Sequence, residues 1–365
     1  MKKFLIVALV CVVAFALIGC QQKQAGSSSG GASSAAAKGK LYVGVINISM
    51  ESEYWASLAN GAKLYVDSLP AGTAEWIVMP GDTAEKQLAN AESFITQYGK
   101  SGQIFLDPVN ASVTPLIAEL CENNGIKLVI YTTLADGLVP TDFEHFVAYI
   151  NNDNVKYGYL ACKDLFEAIG GKGKVAELYG IPGNTAALQR TQGMKQALAE
   201  YPGIELVDSQ IANYLGSEGM AVMETWLARY GTTLQGVFCH SDGMAVGAAE
   251  ALKNAGLTGK IKIVGFDGTK AALEAIKEGS MYSTMLQDGY AVGGYAAAYA
   301  HAASTGKLNV KTMDQKKRMF FSAVKLVTAK NVDEMIATYV TSMPKFDFNN
   351  LDAAIDDIVP NPKLK

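Results

Sequence analysis

Short runs of β-branched residues alternate with amphipathic helical segments along almost the whole chain beyond residue 40. Residues 41–48 and 126–131 are typical of buried strands, whereas residues 54–69 repeat apolar side chains at helical spacing. Strands that alternate with helices form right-handed crossovers, and their sheets are parallel. About ten such units follow one another, which is more than one sheet holds comfortably. The sequence therefore predicts an α/β protein with two similar three-layer domains.

In open parallel sheets, ligands bind in the crevice at the carboxyl ends of the strands. The loops that follow the strands are therefore the first places where we expect a site. These loops come after Ile48, Leu106, Tyr131, Tyr179, Ile211, Cys239, Phe266 and Leu286.

The N-terminus has the organisation of an export signal. Lys2 and Lys3 precede an apolar run over residues 4–17, which is too short to span a bilayer comfortably. The Leu-Ile-Gly-Cys sequence ending at Cys20 resembles the bacterial lipobox, in which the cysteine is acylated and becomes the new N-terminus. Residues 21–39 are rich in Ser, Gly and Ala, as in a flexible tether. We therefore expect a lipoprotein anchored at the extracytoplasmic face of a membrane; a plain signal peptide or an uncleaved anchor helix is the alternative.

The net charge argues against one class of partner. The net charge of −4 includes the basic signal segment, so the exported chain is more acidic still, which argues against nucleic acid as a partner.

The cysteines beyond the signal and tether are Cys121, Cys162 and Cys239. They are widely spaced, odd in number and without a Cys-x-x-Cys motif, which predicts buried free thiols. The three histidines are scattered, so neither a metal site nor a cofactor is predicted.

Residues 264–269 (VGFDGT) carry the clearest local signal for binding. They place the carboxylate of Asp267 at the end of a buried strand, between two glycines that let the backbone turn tightly. A carboxylate there can accept two ligand hydroxyls through charge-assisted hydrogen bonds. Asp267 could equally be the N-cap of the helix that starts at Lys270, and the local sequence leaves both roles open.

Large aromatic residues stand beside two of the candidate loops. Tyr54 and Trp55 open the first helix next to polar neighbours, and Tyr214 follows the strand that ends at Ile211. Such side chains suit a flat ligand with apolar faces and polar edges, although packing in the core is nearly as good an explanation for Trp55.

Motifs of nucleophilic enzymes and nucleotide-binding proteins are absent from the sequence. Beyond the tether there is no Gly-x-Ser-x-Gly, and the sequence has no His-Glu-x-x-His. His240, Ser241 and Asp242 are adjacent, whereas a catalytic relay needs residues that converge in space. Residues 180–185 (GIPGNT) could attract an anion at a helix N-terminus, but they lack the glycine spacing of a nucleotide site, so a capped turn is favoured. No catalytic residue is predicted.

Several stretches of the chain resemble the periplasmic sugar-binding proteins of the ribose-binding type, the receptor subunits of ABC importers. The likeness covers roughly residues 40–328, and related LacI-type repressors carry a helix-turn-helix where this chain has its signal. The resemblance implies two Rossmann-like domains (the periplasmic binding protein type 1 fold), a hinge with three chain crossings, and sugar held in the cleft. The stretches are residues 60–62 (NGA), 88–90 (LAN), 180–187 (GIPGNTAA), 241–248 (SDGMAVGA) and 265–268 (GFDG).

The resemblance also implies roles for individual residues. Asp267 matches the carboxylate that grips ring hydroxyls, and Gln287 matches an amide on the hinge side. Tyr54 and Trp55 match the stacking aromatics of the first domain, and Tyr214 matches an aromatic of the second.

The chain departs from the family pattern at several pocket positions. Ser241 falls where pentose binders have Asn, and the family's Asp-Arg pair falls on Thr132 and Thr133. A pocket Arg falls on Leu188, and Arg190 matches a position expected to be structural. Two guanidinium forks are thus expected to be missing. We therefore expect a neutral ligand other than ribose, such as a hexose, a polyol, a deoxy or methylated sugar, or a nucleoside.

Together these features predict a monomeric, lipid-anchored solute receptor that closes around a small neutral carbohydrate-like ligand and delivers it to an ABC permease. A sensory receptor is the alternative within the binding class. A surface hydrolase or isomerase would need an acid/base pair, and Asp267 is the only carboxylate that the sequence places well. The predicted ligand-binding residues are Tyr54, Trp55, Thr132, Thr133, Tyr214, Ser241, Asp267 and Gln287.

The predicted domain boundaries follow the same resemblance. A signal peptide over residues 1–20 and a tether over residues 21–39 precede the globular part. The first lobe takes residues 40–150 and 288–320, the second takes residues 151–287 and 321–343, and residues 344–365 form an extension beyond the family core.

Overall fold

The computed structural model describes residues 39–364, which form two α/β lobes. The predicted signal peptide, the acylation site Cys20 and nearly all of the tether lie outside this range. The strands are β1 (Leu41–Ile46), β2 (Ala74–Val78), β3 (Gly102–Leu106), β4 (Lys127–Tyr131), β5 (Phe146–Asn151), β6 (Lys172–Tyr179), β7 (Gly203–Ile211), β8 (Leu234–Cys239), β9 (Lys262–Asp267), β10 (Ser283–Gln287), β11 (Met319–Phe321), β12 (Val324–Thr328) and β13 (Asp357–Ile358). The helices are α1 (Glu53–Ser68), α2 (Ala84–Tyr98), α3 (Val113–Asn124), α4 (Asn154–Ala168), α5 (Thr185–Glu200), α6 (Gly216–Tyr230), α7 (Asp242–Asn254), α8 (Lys270–Glu278), α9 (Gly289–Ser304) and α10 (Val332–Ile336). In this part of the chain, no helix combines the length and apolarity that crossing a membrane would need.

Each lobe is a sheet covered by helices on both faces, as the alternation of strands and helices predicted. The first sheet has the order β13-β11-β5-β4-β3-β1-β2, and the second has the order β12-β10-β9-β8-β6-β7. All pairs are parallel except β10–β12 and β11–β13 at the edges. Because helices bury both faces of a parallel sheet, its strands are almost continuously apolar. Two hydrophobic clusters flank each sheet and form the cores.

The chain passes between the lobes four times within the described residues, whereas the resemblance implied three passages. The first three follow β5, β10 and β11. The fourth comes after α10: residues 332–340 pack on the core of the second lobe, whereas residues 348–358 pack on the first. The extra passage exists because the C-terminal extension returns to the first sheet.

The C-terminal extension is attached to the first lobe by aromatic packing and by β13. The Phe348 ring lies edge-on to Tyr65 and Tyr295, with centroid distances of 5.4 and 5.3 Å. A Cβ atom at Gly294 would lie 2.4 Å from the Phe348 ring, so the absence of a side chain there permits this approach. Lys317 and Asp352 add a surface ion pair at 2.6 Å.

Candidate ligand-binding cleft

A cavity lies between the two lobes, at the carboxyl ends of strands from both sheets, where the sequence predicted a site. The lobes close it down to about 40 Å³, room for roughly three water molecules, so a sugar-sized ligand can enter only when the lobes move apart. Of the eight predicted ligand-binding residues, all except Thr133 line it. The lining residues are Ile48, Ser52, Tyr54, Trp55, Asp107, Tyr131, Thr132, Asn184, Ala186, Arg190, Tyr214, Ser241, Asp267 and Gln287.

Direct hydrogen bonds between the lobes surround the cavity. The amide of Thr185 donates to Thr133 Oγ1 (3.4 Å), and the amide of Leu134 donates to Thr185 Oγ1 (3.3 Å). Elsewhere on the rim, the Glu53 carboxylate accepts from the amide of Lys270 (2.6 Å) at the N-terminus of α8. Thr133 is fully buried in this contact between the lobes, so the structure places it beside the cavity rather than on its surface.

Asp267 ends β9 and is buried against the cavity. Gln287 Nε2 donates to Asp267 Oδ1 (2.7 Å). Burial raises the pKa of Asp267 to about 7, although the charge of Arg190 and the hydrogen bond from Gln287 act against that shift. The N-cap of α8 is Thr269, whose hydroxyl accepts from the amide of Ala272. The capping role that the sequence left open for Asp267 therefore belongs to Thr269.

Strained backbone is concentrated at the cavity. Four non-glycine residues of the described chain have a positive φ: Thr132 (59°), Asn213 (48°), Tyr214 (62°) and Asp267 (122°). Three of them line the cavity, and Asn213 is the neighbour of one. Each such conformation costs on the order of 1–3 kcal/mol and persists where the surrounding structure enforces it, as it does at many ligand sites.

Aromatic side chains form much of the cavity wall. Trp55 meets Tyr214 of the opposite lobe edge-to-face, with ring centroids 6.1 Å apart. The hydroxyl oxygens of Tyr54 and Tyr131 lie 2.6 Å apart, and Tyr131 donates to Asn152 Oδ1 (2.5 Å). Trp55 and Tyr214 thus offer apolar ring surface, whereas Tyr54 is tied into a chain of hydroxyl groups.

The segment from His240 to Asp242 has separate hydrogen-bond partners and forms no catalytic relay. His240 is fully buried with its Nε2 2.9 Å from Glu177 Oε1, and burial lowers its pKa. The hydroxyl of Ser241 caps α7, and Asp242 accepts from the hydroxyl of Thr284 (2.6 Å). Of these three residues, only Ser241 lines the cavity.

The sequence interpretation missed Asp107, which makes its statement that Asp267 is the only well-placed carboxylate wrong. Asp107 follows β3, is 2% exposed and lines the cavity from the first lobe. Its position directly after a buried strand, in one of the loops singled out above, was the available signal. Burial and the charge of Asp267 raise the pKa of Asp107 well above its usual range.

Arg190, which the resemblance implied to be structural, also lines the cavity, so the pocket retains one guanidinium although the positions of Thr133 and Leu188 carry none. Its Nε donates to Asn154 Oδ1 (3.0 Å), its Nη1 donates to the carbonyl of His240, and its guanidinium lies 3.8 Å from the Phe266 ring centroid. Leu188, which stands at the position of a pocket Arg in the family pattern, is exposed. Arg190 therefore has the structural role that was expected, and it also forms part of the cavity wall. Asn184 and Tyr131 are further lining residues that the sequence did not single out.

Within residues 39–364, no group of three or more His, Cys, Asp and Glu side chains is arranged to hold a metal ion. Cys121, Cys162 and Cys239 are free and buried, as the spacing predicted. Burial raises the pKa of all three thiols.

Residues 43–308 match the family model of the periplasmic binding protein domain. This match extends over strands of both sheets and more than half of the chain. The chain belongs to the periplasmic binding protein family.

Relatives and solved structures agree with this assignment. A xylitol-binding protein from Mycolicibacterium smegmatis is 34% identical over 261 residues, which cover 71% of this chain and 70% of the relative. The ribose import binding protein of Bacillus subtilis is 28% identical over 277 residues, 76% of this chain and 86% of the relative. Both relatives are named as solute-binding proteins, and the second is named for import. The chain falls among the substrate-binding proteins of sugar ABC importers and not among enzymes.

Two solved structures support the same fold for both lobes. The crystal structure of a twin-arginine translocation pathway signal protein from Burkholderia phytofirmans has a TM-score of 0.84 at 30% identity, covering 88% of this chain and 99% of that one. An ABC transporter periplasmic solute binding protein from Actinobacillus succinogenes with bound D-allose has a TM-score of 0.71 at 28% identity, covering 81% and 100%. The predicted fold, two Rossmann-like lobes of the periplasmic binding protein type 1 kind, is confirmed.

Proposed function

We propose that this chain is the solute receptor of an ABC importer, closing around a small neutral sugar or polyol and delivering it to the permease. The observation that carries the proposal is the cavity between the lobes, where Asp267 and aromatic rings from both lobes face one space. Relatives named for xylitol and ribose, and the D-allose bound to a protein of similar fold, indicate the class of ligand.

Each predicted site residue has a role in this proposal. Asp267 accepts ligand hydroxyls, Gln287 positions that carboxylate, and Trp55 and Tyr214 cover the apolar faces of the ligand. Tyr54, Thr132 and Ser241 supply hydroxyl groups at the edges, and Thr133 joins the lobes once they have closed. Ligand contacts to both lobes favour the closed state over the open one, which is the basis of a hinge motion.

The anchoring and location of the receptor belong to the same proposal. Acylation of Cys20 would hold the chain at the extracytoplasmic face of a membrane, and residues 21–39 would let a monomeric receptor reach the permease. Cys20→Ser should release the protein from membranes into the soluble fraction. Retention of the Cys20→Ser protein on membranes after an alkaline wash would show that the anchor lies elsewhere.

Binding is tested by a thermal-shift panel of xylitol, D-ribose, D-allose, myo-inositol and nucleosides. A ligand at a hundred times its dissociation constant stabilises the folded chain by about 2.7 kcal/mol, so a true ligand raises the melting temperature measurably. Binding of a nucleoside and none of the sugars would favour the nucleoside receptor. Neighbouring genes for a chemoreceptor or kinase, without a permease and an ATPase, would favour the sensory receptor. A carbohydrate-active enzyme would consume a panel compound, which chromatography of the incubated panel detects.

A further inference from the structure

Asp107 differs from the other residues of the cavity because its charged group lacks a partner. Its Oδ2 is buried and accepts no hydrogen bond from any of the described residues. The main chain of Asp107 is fixed, since its amide donates to the carbonyl of Ile46 (2.8 Å) and its carbonyl accepts from Gln87 Nε2 (2.9 Å). The buried acid group is therefore held at the cavity by a rigid backbone.

A second acid lines the same cavity. Asp107 approaches from the first lobe and Asp267 from the second, and the charge of Asp267 disfavours ionisation of Asp107. Asp267 has a hydrogen bond from Gln287 and lies in the field of Arg190. Two carboxylates that line one buried cavity cannot easily both carry charge, and the proton goes to the one with the poorer stabilisation.

We infer that Asp107 is protonated in the closed cleft and donates a hydrogen bond to an oxygen of the ligand, while Asp267 accepts from ligand hydroxyl groups. The inference rests on the proposed function and narrows its ligand class. The ligand must present an oxygen to Asp107 and a hydroxyl hydrogen to Asp267, which neighbouring hydroxyls of a sugar or polyol do together.

Closure of the lobes then takes up a proton. In the open cleft Asp107 is hydrated, and a hydrated Asp has a pKa of about 3.9 and is ionised at neutral pH. Because only the protonated acid fits the closed cleft, affinity should fall as pH rises through the neutral range, by up to about tenfold per unit. The other titratable or charged groups around this space are Asp267 and Arg190, the hydroxyls of Tyr54, Tyr131 and Tyr214, and, nearer Asp267, Asp242 and Glu53. Burial raises the pKa of all three tyrosines, so they do not titrate near neutral pH.

The test is titration calorimetry with xylitol, or with the tightest compound of the panel if xylitol does not bind. Measurements at about pH 6 and pH 8, each in two buffers of different ionisation enthalpy, count the protons taken up on binding. The wild type should take up roughly one proton at neutral pH and bind more weakly at the higher pH. Asp107→Asn keeps a donor and an acceptor in place of the acid and cannot titrate there, so it should take up fewer protons on binding than the wild type and show a weaker pH dependence. The exposed residue Asp136 gives the matched control, and Asp136→Asn should behave as the wild type.

The possible outcomes distinguish failure of this inference from failure of the proposed function. Ligand binding by the wild type without proton uptake overturns the inference and leaves the receptor function standing. Proton uptake that is as large in Asp107→Asn as in the wild type assigns the proton to another group and also overturns it. Asp107→Ser, which keeps a hydroxyl donor and cannot titrate, replaces the Asn variant if that variant does not fold. A wild type that binds no compound of the panel refutes the proposed function, and the inference with it.

Discussion

The two lobes contribute different chemistry to the cavity that they share. In the second lobe the charged groups are held by neighbours: Gln287 donates to Asp267, and Arg190 donates to Asn154 and to the carbonyl of His240. The first lobe contributes aromatic rings and the acid of Asp107, whose Oδ2 has no partner among the described residues. The second lobe thus presents charged groups that are already oriented, and the first presents aromatic rings, hydroxyl groups and one unsatisfied acid.

This difference indicates that the two lobes contribute to binding at different stages. Polar groups that are already oriented lose little freedom when a ligand arrives, so the second lobe is suited to bind first and to set specificity. The aromatic wall of the first lobe gains its contacts only when the lobes close. Substitutions in the second lobe should therefore remove polar recognition, whereas those in the first should weaken the closed state.

The largest effect is expected for Asp267→Ala. Loss of two charge-assisted hydrogen bonds, each contributing about 1.5–3 kcal/mol, should weaken ligand binding by more than a hundredfold while the fold is retained. Titration calorimetry measures the affinity, and thermal unfolding checks the fold. Asp333→Ala is the matched control, because the side chain of Asp333 is 78% exposed and lies outside the cavity. Unchanged affinity in Asp267→Ala would place the ligand outside this cavity. It would also contradict the view that the second lobe provides the polar recognition.

The next largest effect is expected for the opening of the ligand-free cleft as the pH rises. Burial raises the pKa of Asp267 in the closed cleft to about 7, against about 3.9 when it is hydrated. The closed form therefore binds more protons between these values and loses up to about 4 kcal/mol relative to the open form as pH rises from about 4 to 7. The radius of gyration in small-angle scattering should increase with pH over this range, and less so in Asp267→Asn. A radius that is the same at both ends would mean that the acids do not control opening.

Removal of the Trp55 ring should cost about 1.5–3 kcal/mol of binding free energy, because a large apolar surface loses its contact with the ligand. Calorimetry on Trp55→Ala should show this loss at low and at high salt alike, since the contact carries no net charge. Trp76→Ala is the control, as Trp76 lies on the edge strand β2 and outside the cavity. An affinity that falls steeply with salt would indicate an anionic ligand instead.

The sequence predicted the sheets and the place of the cavity because both depend on local patterns. Alternating apolar periods give strands and helices, and parallel strands bring their carboxyl ends to one edge, where the cavity lies. Seven of the eight expected residues line it, but Thr132, Ser241 and Gln287 were expected there from the family resemblance. The role of Arg190 could not be predicted in the same way. It lies inside helix α5, and its entry into the cavity depends on the packing of α5 against α4, where Asn154 accepts its hydrogen bond.

Neither the place of Asp107 in the cavity nor the pairing of the C-terminal extension with the first sheet was predicted. The motif Asp-Pro after β3 is common in turns, and only the position of the opposite lobe makes Asp107 a cavity residue. The extension pairs with β11 through two residues, which is too short for a periodic pattern to be detected. Contacts between segments far apart in the chain decide both features.

The extension gives a smaller test, which concerns the first lobe alone. Phe348→Ala should lower the free energy of unfolding by about 2 kcal/mol, since it removes a ring that packs against Tyr65 and Tyr295. Denaturant unfolding measures this change, and ligand affinity should stay close to that of the wild type because the ring is remote from the cavity lining. A large loss of affinity would show that the fourth passage between the lobes couples the extension to closure.

The smallest effect is expected for Asp352→Asn, which removes the ion pair with Lys317 in the same extension. The Asp352 and Lys317 side chains are 61% and 39% exposed, and an exposed pair of this kind contributes less than about 1 kcal/mol. The change should be visible, if at all, only at low salt, because ions screen exposed charges. Comparison with Phe348→Ala then tells which interaction holds the extension on the first lobe. A loss in Asp352→Asn as large as that in Phe348→Ala would contradict the view that apolar packing holds it.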